Sequence, residues 1–313
     1  MNDSQINDTL FRQAFIAAMI IGTLCRFFLL RVKDNQYPTT PQDYIEQIII
    51  ASLAASLGAV AFPALIDKEF SALTFLAVGI QQFQGLAQQE KITLENTDSD
   101  ELVSKGEPYI DTIATTYEVR SYVSLFSALI ASIIYIYIAR KYDADALICT
   151  IFATLGGIIV ALIFRRALIR SSIKDVADIY PAKILFDGPL LKVNDVVMTN
   201  IGLKDTRKKY MEKGIAIEIV PKDMSGFGII NDIGQQRAIM HNIYLHMGID
   251  KDVDERDIKT IARTNLDRKS VVIVTIPLLR DEVKLIQVAE SAPVLDTAKG
   301  KQSAYKKKAV FFK

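Results

Sequence analysis

The chain has 313 residues, half of them hydrophobic, and its 37 Lys and Arg are offset by 36 Asp and Glu, leaving a formal charge of +1. That length admits one membrane domain plus one soluble domain, and a net charge near zero argues against a general nucleic-acid binder. Cys25 and Cys149 both lie in apolar runs, so they read as small buried residues rather than as a disulfide or part of a metal site.

Five apolar segments follow in order. Leu10–Leu30 is preceded by Asp3 and Asp8 and followed by Arg31 and Lys33. A secretory signal carries its positive charge first, so this segment reads as a retained anchor. Tyr44–Ile66 is the second, with Glu46 at its edge, where it can snorkel to solvent, and Pro63 near its end. Phe70–Leu86 is the third and shortest. Gln81, Gln84 and Gln88 share one helix face there, suited to hydrogen bonds between helices or to a cavity lining. Ser121–Ala139 and Ala146–Phe164 are the fourth and fifth, parted by Arg140–Asp145, and each approaches the ~20 residues a helix needs to cross a bilayer.

Small residues recur every fourth position at Ala51, Ala55 and Ala59, at Ser124, Ala128 and Ser132, and at Ala153, Gly157 and Ala161. Such stripes let helix backbones approach closely, so a compact bundle is expected rather than a lined pore. Tyr122 near one end of the fourth segment, and Tyr135 and Tyr137 near the other, fit interfacial aromatic belts. Arg31/Lys33 and Arg165/Arg166/Arg170/Lys174 both belong on the cytoplasmic side. Five spans satisfy both groups, with the N-terminus outside, the 87–120 connection inside and the C-terminal domain cytoplasmic. The expected division is a transmembrane domain over 1–166, a cytosolic α/β or α+β domain over 167–300 and a basic tail over 301–313.

In that second domain, Ile184–Asp187 and Lys192–Thr199 read as short strands, the latter broken by an Asn194-Asp195 turn signal. Gly214–Val220 alternates as a half-buried strand, and the β-branched run Ser270–Ile276 reads as a central one. Helical spacing covers Gly228–Met247, with Gly248 as its stop, then Asp254–Arg263 and Arg280–Ala292, the last ended by Pro293. The tail, with Lys301, Lys306, Lys307 and Lys308 beside Phe311 and Phe312, reads as disordered. It could also bind anionic lipid.

Residues 109–122 read YIDTIATTYEVRSY, with QYPTTPQDYI (36–45), LGAVAFPALIDKEFSALTFLA (57–77) and QQF (81–83) upstream, and FDGP (186–189) and GQQRAIMHN (234–242) downstream. In order and spacing these strings resemble the YIEGIA family, membrane proteins of endospore-forming bacteria. The family motif falls on Tyr109, Ile110, Asp111, Thr112, Ile113 and Ala114, with Asp111 where the family has Glu and Thr112 where it has Gly. A similar string, YIEQII, begins at Tyr44. The resemblance implies a sporulation-associated protein of the cell or forespore membrane, linked to a small soluble capping-complex subunit.

Candidate chemistry is sparse. Asp111 and Glu118, seven residues apart, would share a helix face near Arg120, as an acid and base at a membrane mouth or as salt-bridge partners. Ser171 and Lys174 have the spacing of a nucleophile and its base, in a segment whose charged neighbours suggest a solvated linker. His241 and His246 are five apart and lack the adjacent Glu of a zincin, so no metal site is expected, and no cofactor. The leading expectation is therefore a non-enzymatic platform on the bilayer, binding the small subunit and further copies of itself. A membrane-embedded protease governed by that subunit is the alternative. A channel is a third reading, from the loose likeness of Leu191–Met198 to the hairpin beneath mechanosensitive pores.

Overall fold

A computed structural model describes residues 8–29, 41–67, 70–168, 171–251 and 259–300. The chain forms two compact units: a helical unit from Met1–Glu90 and Ala114–Ile169, and a sheet unit from Lys91–Ile113 and Arg170–Lys313. This division departs from the expected boundary, because the segment around the family motif folds with the sheet rather than with the helices.

The helical unit is built from α1 (Asp8–Leu29), α2 (Pro41–Ile66), most of α3 (Phe70–Asp98) and α4 (Glu107–Tyr142), and α5 (Ala146–Leu168). Among the described residues, α1, α2, α4 and α5 are long and apolar enough to cross a membrane. The apolar start of α3 is not in that group; Gln81, Gln84 and Gln88 interrupt it and lie exposed. Two helices outrun their apolar segments: α3 continues to Asp98, and α4 starts at Glu107, so most of the 87–120 connection is helical.

The small-residue stripes are where the helices meet. Ala51, Ala55, Ala59, Ser124, Ala128, Ser132 and Ala153 are all fully buried. Gly58 lies so close to α4 that an added Cβ would sit 2.0 Å from the Leu125 carbonyl oxygen, and one on Gly22 would sit 2.6 Å from that of Ser124. Ser132 Oγ donates to the Ala59 carbonyl at 3.0 Å, tying α2 to α4. The bulky aliphatics turn the other way: Leu147, Ile159 and Ile163 of α5 are exposed. Small inside and large apolar outside is the arrangement expected where dispersion rather than water exclusion drives packing. Cys25 and Cys149 are free thiols buried in this core.

The sheet unit continues with a four-residue turn of helix, α6 (Ile173–Val176), then β1 (Ala177–Ala182), β2 (Ile184–Asp187), β3 (Leu190–Val193), β4 (Val196–Asn200), α7 (Lys204–Lys213) and β5 (Ile215–Pro221). After these come α8 (Met224–Ile230), α9 (Ile233–Met247), β6 (Ile261–Asn265), β7 (Ser270–Thr275) and α10 (Glu282–Ser291). Two antiparallel sheets result, one in the order β1-β5-β7-β6 and one in the order β2-β3-β4. Ile215, Ile217 and Ile219 of β5, with Val271 and Ile273 of β7, face a core shared with α8, α9 and α10. Ala216, Val272 and Val274 face the opposite way, onto Leu191, Val193 and Met198 of the smaller sheet. A strand covered on both faces needs no alternation, which explains the unbroken run at 270–276.

One acid lies in that second interface. Glu218 is 8% exposed and accepts from Ser270 Oγ at 2.6 Å and from Asn194 Nδ2 at 2.7 Å. It thereby pins the β3–β4 turn, where Asn194 takes a positive φ of 51°. The helix expected over Asp254–Arg263 lies partly outside the described residues, and its end is strand: Ile261–Asn265 pairs with β7. The expected helix over Gly228–Met247 is two helices, because the Asp232 side chain accepts from Gln235 N at 3.0 Å and starts α9 afresh. The basic tail 301–313 lies outside the described residues.

Candidate functional site

The family motif opens α4, and its preceding loop is clasped by one acid. Asp98, 7% exposed, accepts from the backbone of Lys105 at 2.6 Å and of Gly106 at 3.0 Å, and Gly106 takes the positive φ (83°) that reverses the chain. Tyr109 and Ile113, one turn apart, then point into the core of the sheet unit. Thr112 is buried and donates to the Pro108 carbonyl at 2.8 Å. Asp111 faces outward and pairs with Lys91 at 3.1 Å, a lysine that also lies 3.9 Å from Glu95 and from Glu107. Shortening the acid from Glu to Asp thus falls on a solvated pair.

The string 234–242 on α9 is the surface this hairpin meets. A Cβ on Gly234 would sit 2.8 Å from the Pro108 ring, so the glycine lets the two segments close. His241 is fully buried, edge-on to the Tyr109 ring at 6.2 Å, with Nδ1 2.7 Å from the Val103 carbonyl. The amide side chains of the string face inward, while Arg237 is exposed. Gln235 donates to Pro293 O and accepts from Leu295 N, both at 2.8 Å. Gln236 donates to Ile230 O at 3.2 Å and to Thr264 Oγ1 at 3.1 Å, and Asn242 donates to Val288 O at 2.7 Å. FDGP forms the β2–β3 turn, with Gly188 at φ 60° and Asp187 held by Lys192 at 2.6 Å.

Burial holds the His241 imidazole below its ordinary pKa, and nearby Lys105 adds to this, while the Val103 carbonyl, Glu101 and Asp98 oppose it. The Nδ1–H donated to Val103 fixes the neutral tautomer and leaves Nε2 buried without a partner. A group with a depressed folded-state pKa takes up its proton first in the unfolded chain. The contribution of a neutral His241 to stability is therefore full above about pH 6.5 and declines as pH falls below that value. Thermal unfolding should begin several degrees lower at pH 5.5 than at pH 7.5, and His241→Asn, which keeps a donor for Val103, should shrink the difference.

The helical unit gathers its own polar cluster, in which Glu46 and Arg120 were legible in the sequence and Arg26 and Glu90 were not. Arg26, in the last turn of α1, is fully buried, donating to Ser121 Oγ at 3.0 Å and to Gln47 Oε1 at 2.6 Å, with Tyr117 under its guanidinium at 6.0 Å. Its Nε has no partner, and it forms no ion pair among the described residues. Arg120, 7% exposed, lies within electrostatic reach. On α2 and α3, Glu46 and Glu90 lie within electrostatic reach of each other and of Tyr117. Burial first, and the like charge of Glu46 second, push the Glu90 carboxyl above the ordinary carboxylate range. The signal that would have found Arg26 is a lone charge within an apolar run, costly there and so a default functional candidate.

Other candidates disperse. Asp111 and Glu118 share α4 but not a partner: Asp111 holds Lys91, while Glu118 accepts from the Tyr122 hydroxyl. Lys174 pairs with Glu290 at 3.2 Å rather than with Ser171, whose carbonyl accepts from Val294 N at 2.9 Å. His246 is exposed and its Nδ1 lies 2.9 Å from the Asn242 carbonyl, so the two histidines share no ligand. No group of three or more His, Cys, Asp or Glu among the described residues is placed to hold a metal.

Two family strings separated by more than a hundred residues thus pack into one core, as a single inherited scaffold requires. The sequence profile of the YIEGIA protein family matches residues 14–305. The chain belongs to the YIEGIA family. An uncharacterized protein of Bacillus subtilis (strain 168), YphB, is 31% identical over 283 residues, which covers 90% of this chain and 92% of that protein. No solved structure matches. In this YIEGIA protein Tyr109 and Ile113 of the family motif fill the core, and Asp111 makes a surface pair.

Proposed function

We propose that this YIEGIA protein is a sporulation-associated, multi-span membrane platform whose sheet domain binds a small soluble capping subunit and further copies of the chain. The observation that carries this reading is the use of the family strings. Tyr109, Gly234, Gln235, Gln236, His241 and Asn242 are spent on holding α9 to the 91–113 hairpin, α8, β6, α10 and the segment after α10. What the family shares here is a way of building a domain. That Lys91–Ile113 and Arg170–Lys313 share one compact unit supports a topology in which both segments lie on one side of a bilayer and α4 and α5 cross as a pair. The arginines at 165 and 166 support a cytoplasmic assignment for that side. The apolar start of α3 supplies a fifth crossing, and the N-terminus then lies outside.

A membrane-embedded protease is the second reading; the observation that favours it is the Glu90 carboxyl, raised by burial first and by the charge of Glu46 second, since a raised carboxyl can serve as a general acid. Native mass spectrometry of the tagged protein, extracted from sporulating cells in mild detergent, separates the two. The platform predicts a fixed ratio of this chain to a small intact subunit. Proteins that are truncated in the presence of this chain, and full length when Glu46→Gln, Glu90→Gln, Asp111→Asn, Glu118→Gln or Ser171→Ala is introduced, would make it a protease.

A further inference from the structure

One face of α3 sets amides outward at the level of the middle of α2. Gly79 stands against Leu57, and Phe83 shares a buried cluster with Ala54 and Leu125. Ala54 and Leu57 lie near the centre of Tyr44–Ile66, the 23 residues of α2 that are long and apolar enough to cross a membrane, and Leu125 belongs to the corresponding stretch of α4. Gln81 lies between Gly79 and Phe83 in the chain and so shares their depth. Half a turn round from the line of Gly79 and Phe83 come Thr74, Val78, Gln81, Gly85 and Gln88, and all five are exposed.

An amide that faces acyl chains forfeits the hydrogen bonds it makes in water. Gln84, nearer the bundle, meets that demand within the chain by bonding to the Tyr122 side chain. Gln81 and Gln88 lie further round and turn away from the bundle. The exposed aliphatics of α5, Leu147, Ile159 and Ile163, pose no such demand, because they are as apolar as lipid tails and select no partner. The call for a partner therefore falls on α3.

Spacing indicates which partner. Positions 74, 78, 81, 85 and 88 advance by four, three, four and three, which is the ~3.5-residue repeat of a left-handed helix pair. Two copies of one chain in one membrane are oriented alike, so their α3 helices run parallel and residues of the same number meet. A Gln side chain carries both donor and acceptor, so Gln81 can pair with its own counterpart, and Gln88 with its own. Between them, nothing lies within 4 Å of the Cβ position of Gly85, which leaves the backbone open to close approach.

We infer that this face of α3 binds the same face of a second copy, parallel and in register, with the Gln81 and Gln88 amides paired across a two-fold axis and Gly85 at the closest approach. The inference rests on the platform reading, in which the start of α3 crosses the bilayer and the chain binds further copies, and it names the face that does so.

The test uses the full chain in membranes, with Cys25 and Cys149 replaced by Ser and one cysteine introduced at a time. Mild oxidation should join two chains through Gln81→Cys, Gly85→Cys or Gln88→Cys, but not through Gln82→Cys on the flank of α3 or Ile163→Cys on α5. In liposomes, Gln81→Leu/Gln88→Leu, which keeps the bulk and removes the amides, should weaken self-association roughly tenfold or more, read by energy transfer between labelled copies as lipid is added. Gly85→Leu should do the same. Crosslinking of Gln82→Cys and Ile163→Cys as readily as of Gly85→Cys would overturn the assignment, as would a product of other than twice the chain's mass. If self-association survives both Leu variants, the face fails and the platform stands. If the native chain never self-associates, that part of the platform fails and the inference with it. If Gln81→Cys reacts with an impermeant maleimide as fast as Lys208→Cys once the membrane is opened, α3 does not cross, and the fifth crossing fails first.

Discussion

Tyr109→Ala should destabilise the sheet unit by about 3–5 kcal/mol, the usual cost of deleting a large buried aromatic. Tyr109 is 7% exposed and belongs to the same core as Ile239, Ile243 and Val288, with the His241 ring edge-on to it. Removing the ring leaves a cavity and detaches the 91–113 hairpin from α9, so His241 loses its cover as well. For a unit of this size the midpoint should fall by roughly 10 °C. The neighbouring Asp111→Asn should cost less than about 1 kcal/mol, because its pair with Lys91 is half exposed. Heating the detergent-solubilised protein in steps, with the surviving monodisperse fraction read by size-exclusion chromatography, ranks the two. Were the motif a reactive centre instead, Asp111→Asn would abolish function at full stability and Tyr109→Ala would be the milder change.

Gly58→Val should be the most damaging single change in the helical unit. The first added carbon would meet the Leu125 carbonyl oxygen at 2.0 Å and the Leu129 nitrogen at 3.1 Å, and both are backbone atoms of α4 that cannot rotate aside. The helices must part, and the contacts of Ala55, Ala59, Ala128 and Ser132 part with them; overpacking commonly costs about 1–3 kcal/mol and here acts on backbone. Gly85→Val is the control, since nothing lies within 4 Å of its Cβ position. Cys25 and Cys149 report the outcome directly: both are buried free thiols in this core. They should react with a maleimide in Gly58→Val and stay protected in Gly85→Val.

Much of the architecture could be read from residue patterns that encode a single physical demand. The every-fourth-residue stripes of Ala, Ser and Gly marked the helix contacts because close approach tolerates nothing larger. The run at 270–276 marked a central strand because only a doubly covered strand can be wholly apolar. Asn194-Asp195 marked a turn that the structure places between β3 and β4. Demands met by distant residues were not legible. The short, weakly patterned strand Ala177–Ala182 exists because β5 pairs with it. The polar helix Lys204–Lys213 is anchored by Tyr210, whose hydroxyl donates to the Lys259 carbonyl at 2.8 Å. Nor could local sequence reveal that the family motif faces α9, since that contact joins residue 109 to residue 241. In the helical unit, Glu46 was visible, but Glu90, whose carboxyl it influences, lies in the polar extension of α3, beyond the apolar segment that drew attention.

Impermeant thiol labelling in intact cells tests the membrane platform most directly. In a background with Cys25 and Cys149 replaced by Ser, single cysteines are placed at Asp100, in the turn between α3 and α4, and at exposed Lys208 on α7. The account predicts that both stay unlabelled until the membrane is opened and that both then label together. Labelling of one position in intact cells while the other stays protected would put the motif hairpin and the sheet on opposite sides, and would contradict it.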